Sequence, residues 1–432
     1  MRLTIDPPHS TRVSVAGRKA HSGHFTTTVD LAPGRAVALR FVGTKRTRTY
    51  GVRCLPADFP GWRAKRTGAP QAAWYLVTPF TNPPKGVPPG PGYAAIFDSH
   101  GVPVWWMRRT PAPFGADLLR DGNLSWTDFA ELSPFSGDFE EHSLDGRLRH
   151  TWTTVGTETN QHDFQLLPNG NALLVTYTPR DHVDLRQWGG PANAFVLDGE
   201  VQEIDPQGGR VWAWNTRDHV KLEEAGRWLP ELIQHPTIFK SNGTPVYDVA
   251  HVNSFEPAGN LLVLSARYLD AAYGIDRTTG LVLWKLGGTH IPQSLTIVGD
   301  PLGANEFGGQ HDARLLDGGR VLTVFDNGSR RQRLPRALAF RLDTVHRRAA
   351  LGQSVSFPQA GKSVCCGSAR RLPGGDWVVS WGNTSWVTEL TPTGSPVLTI
   401  EFADHLASYR AVPILPGQLS RAALRRGMDA MS

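Results

Sequence analysis

The sequence predicts an all-β protein, a six-bladed β-propeller preceded by a small N-terminal β-sandwich-like domain. Its 432 residues include 45 Gly, 33 Pro and 14 Trp but only 4 Met, a composition typical of many short strands joined by turns. A strand–turn–strand phrase begins at His162, His251 and His311 with the same interval from histidine to turn glycine. A hairpin repeated along a chain indicates a radial array of similar sheets, in which equivalent positions face one central channel.

The first 70 residues form the predicted β-sandwich-like domain. Short β-type runs at 12–16, 24–30, 36–42 and 50–54 are separated by Gly and Pro. Runs of this length with such boundaries are typical of strands.

Residues 71–411 form the predicted propeller. A hairpin with a glycine turn alternates with a second hairpin whose Asp-containing turn is followed by Trp, and this pattern predicts six units. The second hairpin recurs at Asp98–Trp105, Asp145–Trp152, Asp205–Trp212 and Asp276–Trp284. Residues 219–249 interrupt the repeat and are expected to project from one rim, and the Pro/Gly-rich residues 82–92 are expected to form a loop. The basic tail, 412–432, is predicted to be a terminal helix or disordered.

Charge and cysteine content exclude few classes of function and favour none of them strongly. The formal net charge is +6 and the pI is about 9.3, yet Lys and Arg are scattered, so the sequence predicts no nucleic-acid partner. The three cysteines form no CxxC pattern. No apolar run is long enough to span a membrane and no export signal is visible. The chain as written is therefore expected to be cytoplasmic and to bind no membrane, and the sequence gives no oligomeric state.

The three histidines are the strongest functional signal. Equal phase places His162, His251 and His311 around one channel, although a single histidine in a β-rich chain is usually structural. Asn253 is expected on the same side of its strand as His251, because side chains alternate with period two. Arg267 lies on the return strand of that hairpin, and its charge among imidazoles predicts a pocket for an oxyanion; a salt bridge at the rim is the alternative role.

Several common chemistries have no sequence support. The chain has no complete GxxxxGK[ST] loop, no HExxH motif and no GxSxG elbow. Transfer of a charged group through a covalent histidine intermediate is therefore favoured, with no cofactor and no metal. Two alternatives stay open: a non-catalytic propeller that binds a partner through its rim, and a metal-dependent hydrolase or lyase that uses the three histidines as ligands.

Four phrases together resemble the arylsulfotransferase (ASST) family. They are HDFQLLPNGN from His162, HVNS from His251, LVLSARYLDAAYGIDRTTGLVLWKLGG from Leu262 and QHDARLL from Gln310. The resemblance implies a six-bladed propeller and a nucleotide-independent enzyme that moves a sulfuryl group from a phenolic sulfate to a phenol, so the implied partners are small-molecule aryl sulfates and phenols.

The resemblance also implies roles for the site residues. His311 resembles the transiently sulfurylated histidine of the family, and His162, His251, Asn253 and Arg267 resemble the residues that bind sulfuryl oxygens and handle protons. Members of the family are often exported, which is the alternative to a cytoplasmic location. The adjacent Cys365 and Cys366 depart from the expected start of the sixth unit.

Overall fold

The computed structural model describes residues 1–32, 34–81, 90–129, 137–238, 243–303 and 307–431. Strands dominate these ranges, and the only α-helices within them are Leu229–Gln234 and Arg421–Met431. Neither has the length and apolar character needed to cross a lipid bilayer. The predicted all-β class is confirmed, whereas most of the loop predicted at 82–92 lies outside the described residues.

The chain divides into two compact units, of which the first comprises Met1–Phe59, Leu144–Arg147 and Ser420–Ser432. Its strands are β1 (Arg2–Ile5), β2 (Arg12–Val15), β3 (His21–Ser22), β4 (Phe25–Thr28), β5 (Ala36–Val42) and β6 (Thr47–Arg53). Strands β1 and β4 form one sheet, and a second sheet has the order β3-β2-β5-β6. Alternating apolar side chains from both sheets form a small core around Val13, Val15 and Val37.

The second unit comprises Pro60–Ser143 and Leu148–Leu419. The strands of its first half are β7 (Trp62–Arg66), β8 (Trp74–Phe80), β9 (Gly92–Asp98), β10 (Pro103–Arg109), β11 (Pro113–Leu118), β12 (Leu124–Asp128), β13 (Phe139–His142), β14 (Leu148–Trp152), β15 (Thr159–Leu166), β16 (Ala172–Val183), β17 (Ala194–Ile204), β18 (Arg210–Asn215), β19 (Thr237–Ile238) and β20 (Pro245–Asp248).

The strands of its second half are β21 (Val252–Ala258), β22 (Leu261–Ala266), β23 (Ala271–Asp276), β24 (Val282–Gly287), β25 (Thr296–Val298), β26 (His311–Leu316), β27 (Val321–Asp326), β28 (Arg336–Asp343), β29 (Arg348–Val355), β30 (Ser368–Arg371), β31 (Trp377–Ser380), β32 (Trp386–Leu390), β33 (Pro396–Phe402) and β34 (Ala407–Ile414).

These strands form six sheets that share a plan of four antiparallel strands. From the inner to the outer strand the sheets are I (β34-β8-β9-β10), II (β11 to β14), III (β15 to β18), IV (β21 to β24), V (β26 to β29) and VI (β30 to β33). Strands β19 and β20 extend sheet III, β25 pairs with β29, and β7 pairs with β33.

The innermost strands contact one another in a closed circuit, β34-β11-β15-β21-β26-β30 and back to β34. The inner strand of sheet I, β34, comes last in the sequence and pairs with β8, the first strand of that sheet in the sequence. Pairing between the start and the end of the second unit therefore closes the ring, and the fold is a β-propeller. Apolar side chains fill the space between neighbouring sheets; Val263, Trp284, Leu322 and Phe340, for example, are buried between sheets IV and V.

The turns follow from residue type. The Oδ1 atom of Asp276 accepts hydrogen bonds from Thr278 N and Thr279 N, and that of Asp205 accepts from Gln207 N and Gly209 N. An Asp side chain that bonds the backbone two or more residues ahead favours a tight turn. This is the physical reason that an Asp-containing turn recurs before the outer strand of several sheets.

The boundaries of the two units differ from those predicted. The first unit ends at Phe59 rather than near residue 70, because β7 adds a fifth strand to the outer edge of sheet VI. The tail predicted at 412–432 begins inside β34, which extends to Ile414, and its helix Arg421–Met431 belongs to the first unit. Pairing between segments far apart in sequence decided both boundaries.

Candidate functional site

The three histidines lie on consecutive inner strands. His162 is in β15, His251 immediately precedes β21, and His311 begins β26. The rings of His162 and His251 are 4.7 Å apart, and those of His162 and His311 lie 6.0 and 6.5 Å from the ring of Tyr409. The turns of the repeat therefore do place all three imidazoles around one point of the channel.

Irregular backbone next to the three histidines changes the direction of their side chains. The pairing register shifts between Asn160 and Phe164 in β15 and between His311 and Arg314 in β26. His251 and Asp312 have φ values of +52° and +54°. Bulges of this kind occur next to active sites and redirect individual side chains. Because of these bulges, a histidine and the aspartate that follows it can contact different groups.

His311 is held as a neutral imidazole with a defined tautomer. Its Nδ1 lies 2.7 Å from Asn327 Oδ1 and 3.0 Å from Gly309 O, so the proton is on Nδ1. Its Nε2 accepts a 3.1 Å hydrogen bond from the backbone N–H of Cys366. Burial, and next the charge of Arg267, lower the pKa of His311 well below its ordinary value. Near neutral pH its Nε2 therefore carries a lone pair.

His162 and His251 are each oriented through Nδ1 by a nearby residue. His162 Nδ1 lies 2.5 Å from Asn160 Oδ1, and His251 Nδ1 lies 2.5 Å from Asp248 Oδ2. Burial, and next the charge of His251, lower the pKa of His162 well below its ordinary value. The side chain of His251 is 19% exposed and that of Asp248 is 4% exposed. His162 is thus held neutral, and the carboxylate of Asp248 orients the ring of His251.

Arg267 lies near the histidines, and its charge contributes to lowering the pKa of both His311 and His162. Its backbone N–H donates to His251 O at 2.9 Å, and its guanidinium lies 4.8 Å from the ring of Trp228 and 4.7 Å from that of Tyr268. Nη2 donates to Val364 O at 2.7 Å, whereas Nε is buried and has no hydrogen-bond partner. The Trp228 and Tyr268 rings, 5.2 Å apart, lie on one side of the guanidinium. A guanidinium held against aromatic rings with a donor unused is suited to bind an anion.

A cavity of about 410 Å³ opens beside Arg267 and is lined by Trp228, Tyr268 and Cys365 among others. Trp228 comes from the insertion at 219–249, which forms a 3₁₀ segment, Leu222–Trp228, followed by the helix Leu229–Gln234. The insertion therefore supplies a wall of the pocket. Trp228 and Tyr268 line the cavity beside Arg267, together with polar side chains that include Glu231 and Arg330.

Asn253 lies at a break in strand pairing. The pairing register shifts between Val252 and Ser254, so the period-two argument that placed Asn253 beside His251 does not apply at this residue. Asn253 is fully buried, and its Nδ2 donates to Gln310 O at 2.7 Å while Oδ1 has no hydrogen-bond partner. Its donor thus ties β21 to the residue that precedes His311.

A buried network of charges fixes the strands that carry the histidines. Asp163, next to His162, accepts from Arg410 at 2.5 Å and from Arg314 at 3.0 Å. Asp312, next to His311, accepts from Arg314 at 2.9 Å and from Arg370 at 2.8 Å. Burial acts to raise the pKa of Asp312, but Arg370, Arg314 and Arg410 together lower it. Both carboxylates are therefore ionised and link four inner strands.

Sequence reasoning missed several residues of the site. Asn160 and Asp248 stand two and three residues before their histidines, a local spacing typical of side chains that bond nearby groups, and this signal was available. Asn327 is 16 residues after His311, and Tyr409 lies on the strand that closes the ring. No local pattern identifies either of them.

The arrangement combines a neutral imidazole, a histidine paired with a carboxylate and an arginine that lines a cavity with two aromatic residues. Across the ranges that the structure describes, no three His, Cys, Asp or Glu side chains are grouped so as to hold a metal ion. The groups present are those needed for attack on an electrophile that bears negative charge, with proton transfer to the leaving group.

Solved structures similar to this chain share little sequence with it. A protein of unknown function from Bacteroides caccae is 12% identical, with a TM-score of 0.43 over 79% of this chain and 99% of that one. The periplasmic gluconolactonase PpgL from Pseudomonas aeruginosa is 14% identical, with a TM-score of 0.42 over 88% and 95%. The β-propeller domain of Cps50 (Swd1) from Myceliophteria thermophila is 12% identical, with a TM-score of 0.41 over 78% and 89%.

No curated relative matches the chain. A family model described as Arylsulfotransferase (ASST) matches residues 147–403. This match spans more than half of the chain and includes all three histidines and Arg267. The chain therefore belongs to the arylsulfotransferase (ASST) family.

Proposed function

We propose that the chain transfers a sulfuryl group from an aryl sulfate to a phenol through a covalent intermediate on His311. The observation that carries this proposal is the state of His311, a buried imidazole whose proton is fixed on Nδ1 by Asn327 and Gly309 and whose Nε2 lone pair points away from both. An imidazole must be neutral to attack, and its environment keeps it so.

In the first half-reaction Nε2 of His311 attacks the sulfur of the donor. The N–S bond forms as the bond from sulfur to the phenolic oxygen breaks, and the phenolate leaves with that electron pair. His251, supported by the carboxylate of Asp248 at 2.5 Å, donates a proton to the departing oxygen. Because Cys366 N–H donates to Nε2 at 3.1 Å, this hydrogen bond must open before attack.

In the second half-reaction the acceptor phenol attacks the sulfuryl group on His311. His251 takes the phenolic proton while the O–S bond forms and the N–S bond breaks, which returns neutral His311. One residue thus acts as acid in the first step and as base in the second. Such alternation is the ordinary logic of a double-displacement enzyme.

Charge on the transferring group is balanced by Arg267. Negative charge spreads over the sulfuryl oxygens as the phenolate departs, and donors already in place stabilise it without reorganisation. Nε of Arg267 is buried without a partner and is therefore the donor that we assign to a sulfuryl oxygen. The substrate-binding role of Asn253 is proposed to be indirect, through its hydrogen bond to Gln310 O.

The cavity accounts for an aromatic substrate. Its volume of about 410 Å³ is in the range of small-molecule sites, about 300–1,000 Å³. Trp228, Tyr268 and Arg267 line the cavity together, so a phenyl ring that packs against the two aromatic residues places its sulfate next to the guanidinium.

The test is incubation of purified protein with 4-nitrophenyl sulfate, with and without a phenol acceptor and with and without a chelator. We expect phenol-dependent release of 4-nitrophenol, transfer to the acceptor and no effect of the chelator. Mass spectrometry after brief exposure to donor alone should find a sulfuryl group on the peptide that contains His311.

Two variants complete the experiment. His311→Ala should abolish both half-reactions, since both pass through this residue. His219→Ala is the matched control, because His219 stacks on Trp214 at 4.8 Å and has no part in the mechanism. A label on another residue, turnover that requires a metal, or full activity in His311→Ala contradicts the proposal.

A further inference from the structure

Cys365 and Cys366 form a close pair of thiols at the edge of the site. Their Sγ atoms are 2.9 Å apart and both cysteines are free. In regular extended backbone successive side chains point to opposite faces, but the φ of Cys366 is +65°. This left-handed conformation brings the two sulfurs together. Cys365 lines the cavity beside Arg267, whereas Cys366 is buried.

The peptide that joins these cysteines is bonded directly to His311. Its N–H, from Cys366, donates to His311 Nε2 at 3.1 Å. Its carbonyl, from Cys365, accepts from Asn383 N at 3.1 Å and from Ser363 Oγ at 3.2 Å. A rotation of this one peptide plane therefore changes a contact to the nitrogen that acts as nucleophile.

We propose that Cys365 and Cys366 are a redox-active vicinal pair, and that closure of a disulfide between them withdraws the Cys366 N–H from His311 and frees the Nε2 lone pair. The effect on sulfuryl loading rests on the function proposed above, whereas the effect on the hydrogen bond does not. In the reduced protein the hydrogen bond from Cys366 N–H occupies Nε2 of His311. In the oxidised protein this hydrogen bond is absent and Nε2 is free.

The chemistry requires an external disulfide as oxidant. The thiolate of Cys365 attacks one sulfur of that disulfide and expels one thiolate, which gives a mixed disulfide. Cys366 then loses its proton and attacks the sulfur of Cys365, so the second thiolate leaves and the intramolecular bond forms. Two protein thiols are oxidised and one external disulfide is reduced to two thiols, so atoms and electrons balance.

Geometry assigns the first attack to Cys365. Its side chain borders the cavity, which gives a dissolved oxidant access. The hydrogen bond with Cys366 lowers the pKa of Cys365, and the charge of Arg267 acts in the same direction against burial. The hydrogen bond with Cys365, and next burial, raise the pKa of Cys366. A lowered pKa is typical of the thiol that reacts first.

Strain makes such a disulfide reversible and couples it to the peptide. Consecutive Cα atoms are about 3.8 Å apart across a trans peptide, which is shorter than the range of about 4.4–6.8 Å usual for disulfides. Closure therefore distorts the intervening peptide, the group that contacts His311. Strained disulfides have higher reduction potentials and are typically regulatory.

The experiment uses full-length protein in a Cys54→Ser background, so that the pair supplies all the thiols. Reduced protein is treated with oxidised glutathione and then with dithiothreitol, with thiol titration and peptide mass spectrometry at each stage. The side-chain nitrogen NMR signals of the histidines, with His311 assigned by substitution, report the hydrogen bond to Nε2. Cys365→Ser, taken through the same treatment, is the matched control.

We expect glutathione to remove both thiols, dithiothreitol to restore them, and the Nε2 signal of His311 to shift reversibly. Release of one ordinary hydrogen bond should raise the rate of sulfuryl loading about fivefold in the oxidised form. Cys365→Ser should show a ratio of loading rates near unity between treated and untreated samples. If the signal shifts but no loading occurs in either state, the proposed function fails and the redox coupling stands.

Two results overturn the inference. One is a stable mixed disulfide with glutathione on Cys365 in place of an intramolecular bond. The other is a disulfide that closes while the His311 signal and the loading rate stay as in the reduced protein. Because the wild-type pair is cycled in both directions, the test does not depend on the folding of any variant at Cys366.

Discussion

Replacement of Arg267 tests the electrostatic part of the proposed mechanism. The Nε of Arg267 is buried without a partner, and its guanidinium lies against the rings of Trp228 and Tyr268. Arg267→Met removes the charge and keeps much of the side-chain volume. Arg267→Lys keeps the charge but cannot reproduce the planar donor group or its stacking.

The expected loss follows from the contact that is removed. One preset donor to developing negative charge is worth about 3 kcal/mol, which is roughly a hundredfold in rate. We therefore expect kcat/KM for an aryl sulfate to fall about a hundredfold in Arg267→Met, and Arg267→Lys to recover about tenfold of this.

The pH dependence gives a second readout. Burial first, and the charge of Arg267 next, lower the pKa of His311 below its ordinary value of 6.5. Loading by the wild type should therefore stay constant as the pH falls through 6.5 and decline only below it, when His311 becomes protonated. In Arg267→Met one cause is removed, so the pKa rises and the decline begins at a higher pH. Arg267→Lys keeps the positive charge and should retain the wild-type profile.

The assay is rapid-quench measurement of phenol release in a single turnover, at several pH values and at matched thermal stability. Arg277→Lys is the matched control, because Arg277 lies 5.0 Å from the ring of Trp212 and has no part in the mechanism. If Arg267→Met, Arg267→Lys and the wild type agree within about twofold, well below the factor of ten that 1.4 kcal/mol makes, Arg267 is a rim residue and the oxyanion pocket is wrong.

Three further substitutions test the groups that support the histidines. Asp248→Asn removes the carboxylate at 2.5 Å from His251. It should slow sulfuryl loading about a hundredfold with a donor that has a poor leaving group, but much less with 4-nitrophenyl sulfate. Equal losses for both donors exclude His251 as the acid. Asn327→Asp keeps an acceptor for His311 Nδ1 and adds negative charge, so the acid limb of the loading profile should move to higher pH, and an unmoved limb refutes the orienting contact. Asp312→Asn removes the carboxylate that Arg314 and Arg370 share and should destabilise the protein by about 3 kcal/mol or more, measured as a lower urea midpoint. The exposed Asp184→Asn should change little, and similar midpoints for both variants contradict a structural role of the buried network.

The recurrence of one hairpin made the fold class and the convergence of the histidines predictable. Turn geometry depends on local residue types, such as Asp276, which accepts hydrogen bonds from the N–H groups that follow it. Such turns can therefore be predicted from the sequence. Equal intervals from the turn to His162, His251 and His311 then place them at one level of the ring. The resemblance of the phrases to one family agrees with the family match over 147–403.

Period-two reasoning does not apply where the backbone departs from a regular strand. The pairing register shifts between Val252 and Ser254, on either side of Asn253, and the φ of +52° at His251 has no signal in the residue type. Such irregularities are stabilised by contacts around the channel and not by the local sequence.

The sequence by itself determined the repeat, its turns and the positions of three histidines, because each depends on residues within one hairpin. Only the tertiary structure decided that β34 closes the ring, that Asn327 sets the tautomer of His311 and that Trp228 reaches Arg267 from an insertion. These contacts join segments far apart in the chain. Their geometry follows from closure of the ring and from the sharing of buried charges between strands, which no local periodicity encodes.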